Sequence, residues 1–384
     1  MAPLRIGLLF NFNPVWMGGL IYLQNIVRVL DFLDDDRKPW LTIFHTPELA
    51  EFVQKLTYPR LELVRIDYAP VKRAFVASLL TRRNQFVDPI WEHGGIDVVF
   101  PVQDMPIRTT ARAVAWYADL QHRYYPDFFT PGKRLERELR IRFLLRNCRQ
   151  LIVSSQAVAN DFKQFYRIPD HLRTDIYRFV SPVTPGSVEQ MDSVRKRYGL
   201  HDPFFIVSNQ FHKHKNHQVV LKAFGAARRE LGEVRLVLTG REPRLANSPY
   251  LRELNEIQRV FGIEDRVLSL GAMPRDDQIA LMQSAIAVVQ PSLFEGWSTV
   301  IEDAKSLQAP VIASDLPVHR EQLGRAARYF SPHSAEELAE HLKRAASTHG
   351  GPVVPLYDSL QLRARAAAQS LLDALAWQVT SDGS

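Results

Sequence analysis

The feature of this sequence that most limits its possible folds is a regular alternation of short apolar runs with amphipathic segments. A 16-residue segment, GGLIYLQNIVRVLDFL (18–33), places Leu20, Leu23, Ile26 and Leu30 on one helical face. The apolar runs around it have the length and composition of buried strands: RIGLLFN, WLTIFHT, LELVRID, DVVFPV, AVAWYAD and QLIVSS. Strands that alternate with helices predict an α/β fold, with a parallel sheet covered on both sides.

The alternation is interrupted once, by RFVSPVTPGSVEQ (178–190), whose prolines and glycine are typical of a linker. Six further apolar runs follow it: FFIVSNQ, VRLVLTG, VLSLGA, AIAVVQPS, APVIAS and RYFSP. A chain of 384 residues is long enough for two domains. We therefore predict one Rossmann-like domain over 1–182, a second over 183–355, and a C-terminal helix and tail over 356–384. That helix can pack back on either domain, and we predict the N-terminal one.

Composition narrows the class of protein. The chain is 46% hydrophobic and 23% charged, as ordinary globular domains are, and no apolar stretch approaches the roughly 20 residues of a membrane span. The apolar start, LRIGLLFNF, lacks the layout of a signal peptide and is interpreted as a first strand. The one cysteine, Cys148, excludes an intramolecular disulfide and is typical of a reducing compartment, which predicts a cytoplasmic location.

The formal net charge of +6 is compatible with anionic ligands such as nucleotides or an acidic lipid surface. The sequence has no zinc-finger spacing, no glycine–aromatic RNA motif and no dense basic tail. We therefore predict no nucleic-acid partner.

Acidic side chains follow the run AIAVVQPS, where a strand is predicted to give way to a helix. That helix is predicted to begin near Ser298–Thr299, and its N–H groups suit a phosphate. Glu295 precedes the helix and is placed to reach hydroxyl groups, while Asp303 lies one turn inside it and is placed to bind a vicinal diol. The alternative is that Glu295 caps a helix and that Glu302 or Asp303 is solvated surface.

A basic segment, IVSNQFHKHKNHQVVLKAF (206–224), begins where another strand ends, and its lysines suit a diphosphate. Three histidines in it, His212, His214 and His217, raise the question of a metal site. Three histidines in a basic loop without nearby acids make a poor cation cage, so we predict no metal.

Glycines mark three other loops. Gly240 and Gly271 each end a predicted strand, which lets a ligand approach the backbone, although a tight turn with positive φ explains each glycine equally well. Gly18 and Gly19 lead into a helix in NFNPVWMGGLIYLQ (11–24), an arrangement that favours anions. This loop lacks the G-x-G-x-x-G spacing, which argues against a dinucleotide cofactor.

The segment FEGWSTVIEDAKSLQAPVIASDLPVHREQ (294–322) resembles the donor-site motif of family 4 glycosyltransferases, which have the two-domain GT-B fold. In that family an acid opens the motif, a glycine follows, and a second acid comes eight positions after the first. Glu295 and Gly296 match, and Asp303 stands where the family usually has Glu, with Glu302 beside it. The resemblance implies that Glu295 contacts the hydroxyls of the donor sugar and Asp303 the ribose.

The segment 206–224 is similar to the family's diphosphate-binding segment, in which an arginine is followed five residues later by a lysine. Lys215 matches the lysine, Gln210 departs from the arginine, and Lys213 is a candidate to supply the missing charge. In the family the loop after Gly271 borders the nucleotide base, which implicates Leu270 to Met273. The Gly18–Gly19 loop would face the diphosphate and acceptor.

A histidine after the fifth strand matches one that lies near the transferred sugar in the family. The residue is His122 in WYADLQHRYYPDFF (116–129), with Asp119 as a weaker candidate.

The resemblance implies two domains facing across a cleft, and a retaining, metal-independent glycosyltransferase without a cofactor. Such an enzyme moves a sugar from a UDP- or GDP-sugar to a hydroxyl of a glycan or lipid-linked glycan of the cell envelope. The bacterial polysaccharide subgroup is the most similar. The catalytic candidates are Glu295, His122 and Lys215. The donor-binding candidates are Gly18, Gly19, Gln210, Lys213, Lys215, Gly240, Gly271, Met273, Gly296, Ser298, Thr299, Val300 and Asp303. A GT-B-fold epimerase or phosphorylase and a non-catalytic sugar-nucleotide-binding subunit remain alternatives.

Two basic segments of the N-terminal domain, which takes the acceptor in the family, suggest where the acceptor binds. VKRAFVASLLTRRNQF (71–86) sets cations around an apolar centre, and GKRLERELRIRFLLRNCR (132–149) carries seven cations. A basic amphipathic segment can lie on an anionic membrane, which predicts a peripheral enzyme at the cytoplasmic leaflet. The alternative for 132–149 is a solvated helix in which Glu136 and Glu138 pair with its arginines.

Overall fold

A computed structural model of the chain describes residues 3–12, 16–241, 248–348 and 357–380. The chain divides into two units, Met1–Pro182 with Gln361–Ser384, and Val183–Leu360. We call them the N-terminal and C-terminal units. Each has one sheet in which every paired strand is parallel.

The strands of the N-terminal unit are β1 (Arg5–Phe10), β2 (Trp40–His45), β3 (Leu61–Arg65), β4 (Val98–Val102), β5 (Ala113–Tyr117), β6 (Gln150–Val153) and β7 (Arg173–Ile176). Those of the C-terminal unit are β8 (Phe204–Ser208), β9 (Arg235–Thr239), β10 (Val267–Gly271), β11 (Val288–Gln290), β12 (Val311–Ser314) and β13 (Arg328–Phe330).

The α-helices, in chain order, are α1 (Met17–Leu30), α2 (Ala50–Val53), α3 (Val71–Thr81), α4 (Asp88–Glu92), α5 (Gln121–Tyr124), α6 (Pro131–Asn147), α7 (Gln156–Phe165), α8 (Val188–Arg197), α9 (His217–Ala226), α10 (Pro249–Phe261), α11 (Arg275–Ser284), α12 (Thr299–Ser306), α13 (Pro317–Leu323), α14 (Ala335–Ser347) and α15 (Leu360–Thr380). Short 3-10 turns occupy Pro47–Leu49, Pro126–Phe128 and Lys213–Lys215.

The central strands are buried on both faces, which explains their continuous apolar runs. In β8, Phe205 and Val207 belong to one core cluster, while Phe204 and Ile206 belong to the cluster on the opposite face. Alternation of side chains across a strand produces this division, and helices cover both faces. The α/β class and the two parallel sheets predicted from the sequence are confirmed.

The order of the strands locates the crevice of each sheet. In the C-terminal unit the order is β10-β9-β8-β11-β12-β13, and in the N-terminal unit it is β3-β2-β1-β4-β5-β6-β7. The chain runs outward from β8 to one edge and then returns to the other side of β8 as β11. Ligands of such sheets bind beyond the carboxyl ends of the strands at this switch point. The carboxyl ends of β8 and β11 are therefore the place to look for a site.

The C-terminal helix α15 belongs to the N-terminal unit, as predicted. The Gln150 side-chain amide in β6 donates to the carbonyl of Ala374 at 2.7 Å, and the Arg173 guanidinium in β7 lies 4.7 Å from the Trp377 ring centroid. Leu371 of this helix is fully buried. The helix therefore packs against the β6–β7 side of the sheet.

The strand that sequence reasoning missed is β7. Its sequence, RTDI, lies at the edge of the sheet and has no fully buried residue. Because an edge strand is covered less than a central one, it lacks the apolar run by which the other strands were recognised.

Candidate functional site

Glu295 lies in the loop after β11 and is the centre of a hydrogen-bond cluster. Its Oε1 accepts from Lys215 Nζ at 2.6 Å, from Ser292 Oγ at 2.7 Å and from Gln290 Nε2 at 2.9 Å. The carboxylate side chain is 10% exposed. All of these bonds involve Oε1, and no hydrogen bond of Oε2 is found among the described residues. The second oxygen is thus placed to accept from a ligand.

The charge of Glu295 is set by Lys215. Burial raises the pKa of the carboxyl, but the charge and hydrogen bond of Lys215 outweigh it and hold the pKa of Glu295 below its usual value. Glu295 is therefore ionised at neutral pH, although it is nearly buried. The ion pair keeps a fixed anion and a fixed cation side by side.

Asn216 and the loop beside it fix the position of Lys215. Asn216 has a left-handed backbone with φ of 54°, which Asn tolerates better than most residues. Its side-chain amide donates to the carbonyls of Pro291 at 3.1 Å and Pro332 at 2.8 Å. The N–H of Leu293 donates to the carbonyl of His214 at 2.8 Å. These bonds join the turn after β8 to the loop after β11.

Two histidines of the basic segment, His214 and His217, are half-buried and buried, and both are neutral, while His212 is exposed. Burial, helped by the charge of Lys215, lowers the pKa of His214 to about 3. Burial lowers the pKa of His217 to about 3 as well, and its ring stacks on Phe211 with centroids 4.5 Å apart. These rings therefore add no positive charge to the turn.

The helix predicted to begin near Ser298–Thr299 is α12, and that prediction is confirmed. Ser298 is the N-cap, and its Oγ accepts from the N–H of Ile301. The Ser298 N–H itself donates to the Gln322 side chain at 2.9 Å. Among the described residues, no acceptor is found for the N–H groups of Thr299 and Val300. Those two groups are therefore placed to bind an anion, and that of Ser298 is not.

Both acids inside α12 are fully buried, so the alternative that either is solvated surface is wrong. Glu302 Oε1 accepts from Lys305 Nζ at 2.9 Å and from the Gln322 amide at 3.1 Å. Asp303 Oδ1 accepts from Arg275 Nη2 at 2.5 Å. Asp303 is thus joined to the start of α11, and Glu302 is joined to α13. The implied contact of Asp303 with ribose stays a prediction.

Gln210, at the position of the expected arginine, bonds within its own turn. Its Oε1 lies 3.0 Å from His212 Nε2. Lys213, the suggested substitute, is exposed in the 3-10 turn that carries Lys215.

The two strand-end glycines have structural reasons. Gly240 has φ of +135°, and a Cβ at this position would lie 2.2 Å from the carbonyl oxygen of Asn209. Gly271 has φ of +63°, and a Cβ at this position would meet no atom within 4 Å. Its carbonyl accepts a hydrogen bond from the N–H of Gly240 at 2.8 Å. Met273 packs partly buried against the core beside them. Positive φ therefore explains Gly271, and positive φ together with the close approach of Asn209 explains Gly240. Gly296, which follows Glu295, is buried.

In the N-terminal unit, α1 begins at Met17, so Gly18 and Gly19 lie inside its first turn rather than ahead of it. A Cβ on Gly19 would lie 2.5 Å from the Trp16 ring, and its N–H donates to the carbonyl of Trp16. Trp16 in turn stacks on Trp116 with centroids 5.8 Å apart. Gly19 therefore makes room for an aromatic cluster. Residues 13–15 of the predicted loop lie outside the described residues.

His122 lies in α5 with a side chain that is 1% exposed. Its Nε2 lies 2.8 Å from Glu138 Oε1, and the same carboxylate accepts from Arg123 and from Tyr166. Burial lowers the pKa of His122 against the opposing effect of Glu138. Asp119 accepts from the N–H of Gln121, the first residue of α5. The catalytic role of His122 stays a prediction.

The C-terminal unit therefore brings Glu295, Lys215, Thr299, Val300 and Asp303 to one end of its sheet. His122, Gly18 and Gly19 belong to the N-terminal unit. Sequence reasoning missed the residues that fix these acids and their partners, namely Arg275, Gln278, Gln290, Asn216 and Gln322. Arg275 carried one available signal, because it opens a helix four residues after a strand end.

Comparison with known proteins agrees with this geometry. Residues 191–361 match the family model described as glycosyl transferases group 1. The O-antigen chain mannosyltransferase RfbU of Salmonella typhimurium is 24% identical over 229 residues, which are 59% of this chain and 58% of that protein. The D-inositol 3-phosphate glycosyltransferase of Corynebacterium aurimucosum is 26% identical over 260 residues, 63% of this chain and 58% of that protein. The chain thus spans 58% of the length of each of these relatives.

Solved structures share the fold over the whole chain. Anabaena Alr3699/HepE, crystallised with UDP and glucose, has a TM-score of 0.68 at 16% identity, with 99% of this chain and 100% of that chain covered. WaaG, described as a glycosyltransferase involved in lipopolysaccharide biosynthesis, has a TM-score of 0.62 at 15% identity, with coverages of 98% and 99%. At these identities the likeness shows the fold. Residues 191–361 thus match the glycosyl transferases group 1 family, and the chain has the GT-B fold.

Proposed function

We propose that this protein is a retaining glycosyltransferase that moves a sugar from a nucleotide-diphosphate sugar to an acceptor hydroxyl without a metal. The observation that carries the proposal is the ion pair of Lys215 with Glu295 at the carboxyl ends of β8 and β11. A nearly buried acid and base that are fixed at a switch point form a pair of opposite charges ready for a polar ligand.

The two charges suit the two parts of such a donor. As the bond between sugar and diphosphate breaks, negative charge grows on the departing phosphate and positive charge on the sugar. Lys215 and the N–H groups of Thr299 and Val300 would stabilise the phosphate. Glu295 Oε2 would accept from a sugar hydroxyl and stabilise the positive sugar. Because Oε1 already accepts three hydrogen bonds, the carboxylate is held in a fixed orientation. Glu295 is therefore suited to position and stabilise the sugar.

The donor nucleotide is proposed to be UDP or GDP. Support for UDP comes from the UDP held by the Anabaena structure. A thermal-shift panel of UDP- and GDP-sugars, with the free nucleoside diphosphates, would identify the donor, since a ligand that binds the folded state raises its apparent stability. We expect one nucleotide series to raise the melting temperature.

Turnover separates an enzyme from a non-catalytic binding subunit. The parent protein and Glu295→Gln would be given the selected donor with a radiolabelled sugar and an envelope glycan extract. We expect label in a glycan product, with retained anomeric configuration by NMR and full activity in EDTA. Donor binding without label transfer by the parent would instead favour the non-catalytic subunit. Transfer at the parent rate by Glu295→Gln would contradict the role of Glu295.

The acceptor is proposed to be a glycan or lipid-linked glycan at the cytoplasmic leaflet, because the N-terminal unit has an exposed surface that is both apolar and basic. On α3, Val76, Leu79 and Leu80 are 54%, 42% and 79% exposed, and Lys72, Arg73, Arg82 and Arg83 flank them. No helix among the described residues is both long and apolar enough to cross a membrane. Surface binding by α3 is the mode that this composition favours.

The neighbouring α6 contributes less to that surface than its sequence suggests. Its Glu136 pairs with Lys72 of α3 at 3.7 Å, and Glu138 bonds mainly with His122 and Arg123, reaching Arg142 only at 4.0 Å. Sedimentation with anionic and neutral liposomes at two salt concentrations would test the proposal. We expect salt-sensitive binding to anionic liposomes, lost in Leu79→Ser/Leu80→Ser. Equal, negligible binding to both lipids would favour a soluble acceptor.

A further inference from the structure

We propose that Arg275 is a second phosphate-binding cation of the site, which acts beside Lys215 on the diphosphate of a nucleotide sugar. This inference rests on the proposed function and names a residue for it. The juxtaposition that carries it is a matched pair of ion pairs. Glu295 holds Lys215, and Asp303, eight residues later, holds Arg275.

The guanidinium of Arg275 is fixed on two sides. Nη2 donates to Asp303 Oδ1 at 2.5 Å, and Nη1 donates to Gln278 Oε1 at 2.9 Å. The Gln278 side-chain amide donates a hydrogen bond to Ser208 Oγ at 2.5 Å, and Ser208 is the last residue of β8. Arg275 is therefore tied to the strand end from which the turn of Lys215 departs.

The remaining face of Arg275 is open to a ligand. A guanidinium has five N–H donors, and the bonds to Asp303 and Gln278 use two of them. The side chain is 32% exposed, whereas its partner Asp303 is fully buried. A planar fork held by a buried carboxylate is a preorganised partner for phosphate oxygens. Asp303 would then be a positioning residue that acts through Arg275.

The position of Arg275 also suits a phosphate-binding role. Asp303 lies one turn after Thr299, so the guanidinium bound to it borders the start of α12, where the N–H groups of Thr299 and Val300 have no acceptor among the described residues. Gln210 offers no charge, and its amide bonds to His212. Lys213, exposed in the turn, is the competing source of a second cation.

Calorimetric titration of Arg275→Gln would test this role against a purely structural one. The ligands are UDP or GDP, whichever the parent protein binds, and the matching nucleoside without phosphate. Arg197→Gln is the matched control, because Arg197 bonds both oxygens of the nearly buried Asp277 in the same unit at 2.8 and 2.9 Å. Arg275→Lys keeps a positive charge beside Asp303 but loses the planar guanidinium. This variant replaces Arg275→Gln in the titration if the Gln variant does not fold.

We expect Arg275→Gln to weaken nucleoside diphosphate binding by about 10- to 100-fold and to leave nucleoside binding nearly unchanged. Arg275→Lys should fall between parent and Gln, and Arg197→Gln should bind both ligands as the parent does. Unchanged diphosphate affinity in Arg275→Gln, equal losses for both ligands, or a loss found only in Lys213→Ala would overturn the assignment. If the parent binds no nucleoside diphosphate, the proposed function fails first, and the role of Arg275 fails with it.

Discussion

Replacing Lys215 by Met removes the cation of the Glu295 pair while keeping the length of the side chain. The side chains of Lys215 and Glu295 are only 18% and 10% exposed. Removing one partner of a buried ion pair costs about 3–5 kcal/mol, because the other charge is left uncompensated. Glu295 keeps its bonds from Ser292 and Gln290, so we expect a loss near the lower end, about 3 kcal/mol at pH 8.

The loss should depend on pH, with a sign that follows from burial. In the parent protein, Lys215 holds the pKa of Glu295 below its usual value, so this carboxylate stabilises the fold above a pH of about 4.3 and loses that effect as the pH falls through the folded-state pKa. In Lys215→Met the main charge that opposes burial is gone, so we expect the pKa of Glu295 to rise. Lys215→Met should therefore lose more unfolding free energy at pH 8 than at pH 5, where the Glu295 carboxyl can take up a proton.

Urea unfolding of the parent, Lys215→Met, Glu295→Gln and the double variant at pH 5 and pH 8 would measure these differences. The double variant has no buried charge to compensate, and we expect it to lie within about 1 kcal/mol of the parent at both pH values. A penalty for Lys215→Met that is the same at pH 5 and pH 8 would refute this account. So would a double variant no more stable than Lys215→Met.

Three further outcomes are expected. Glu295→Gln should reduce sugar transfer by about 100-fold, because it removes a charge that stabilises the transition state, while calorimetry should find nucleoside diphosphate affinity close to that of the parent. Gly240→Ala should lower the free energy of unfolding by about 1–3 kcal/mol, because its Cβ would lie 2.2 Å from the Asn209 oxygen. Gly232→Ala, which meets nothing within 4 Å at φ of +54°, is the control for positive φ alone, and an equal loss there would contradict the clash. The pKa values of His214 and His217 are lowered to about 3, so both contribute stability above a pH of about 6.5 that is lost as the pH falls toward 3. The urea midpoint should therefore drop between pH 7 and pH 5, and the drop should be smaller in His214→Gln; an equal drop would argue against a buried neutral His214.

Local patterns in the sequence were sufficient for the α/β class and for twelve of the thirteen strands that the structure describes. Strands such as FFIVS and VVFPV are nearly continuous apolar runs because both of their faces are covered. The start of α12 followed from Ser298, because an N-cap satisfies N–H groups that lie within a few residues of it. The motif from Glu295 to Asp303 was visible for the same reason, since both acids lie in one segment. By contrast, the edge strand β7 lacks a buried face and has no local signal.

Tertiary structure decided which side chains meet. Lys215 and Glu295 are 80 residues apart, and Arg275 and Asp303 are 28 apart. The first pair forms because β11 returns beside β8, and the second because the loop after β10 reaches α12. The same order of strands turned Gly240 into a packing requirement against Asn209. The sequence of a segment indicates whether that segment is buried and where it begins and ends. Contacts between strand ends depend instead on the order of the strands, which non-local packing selects.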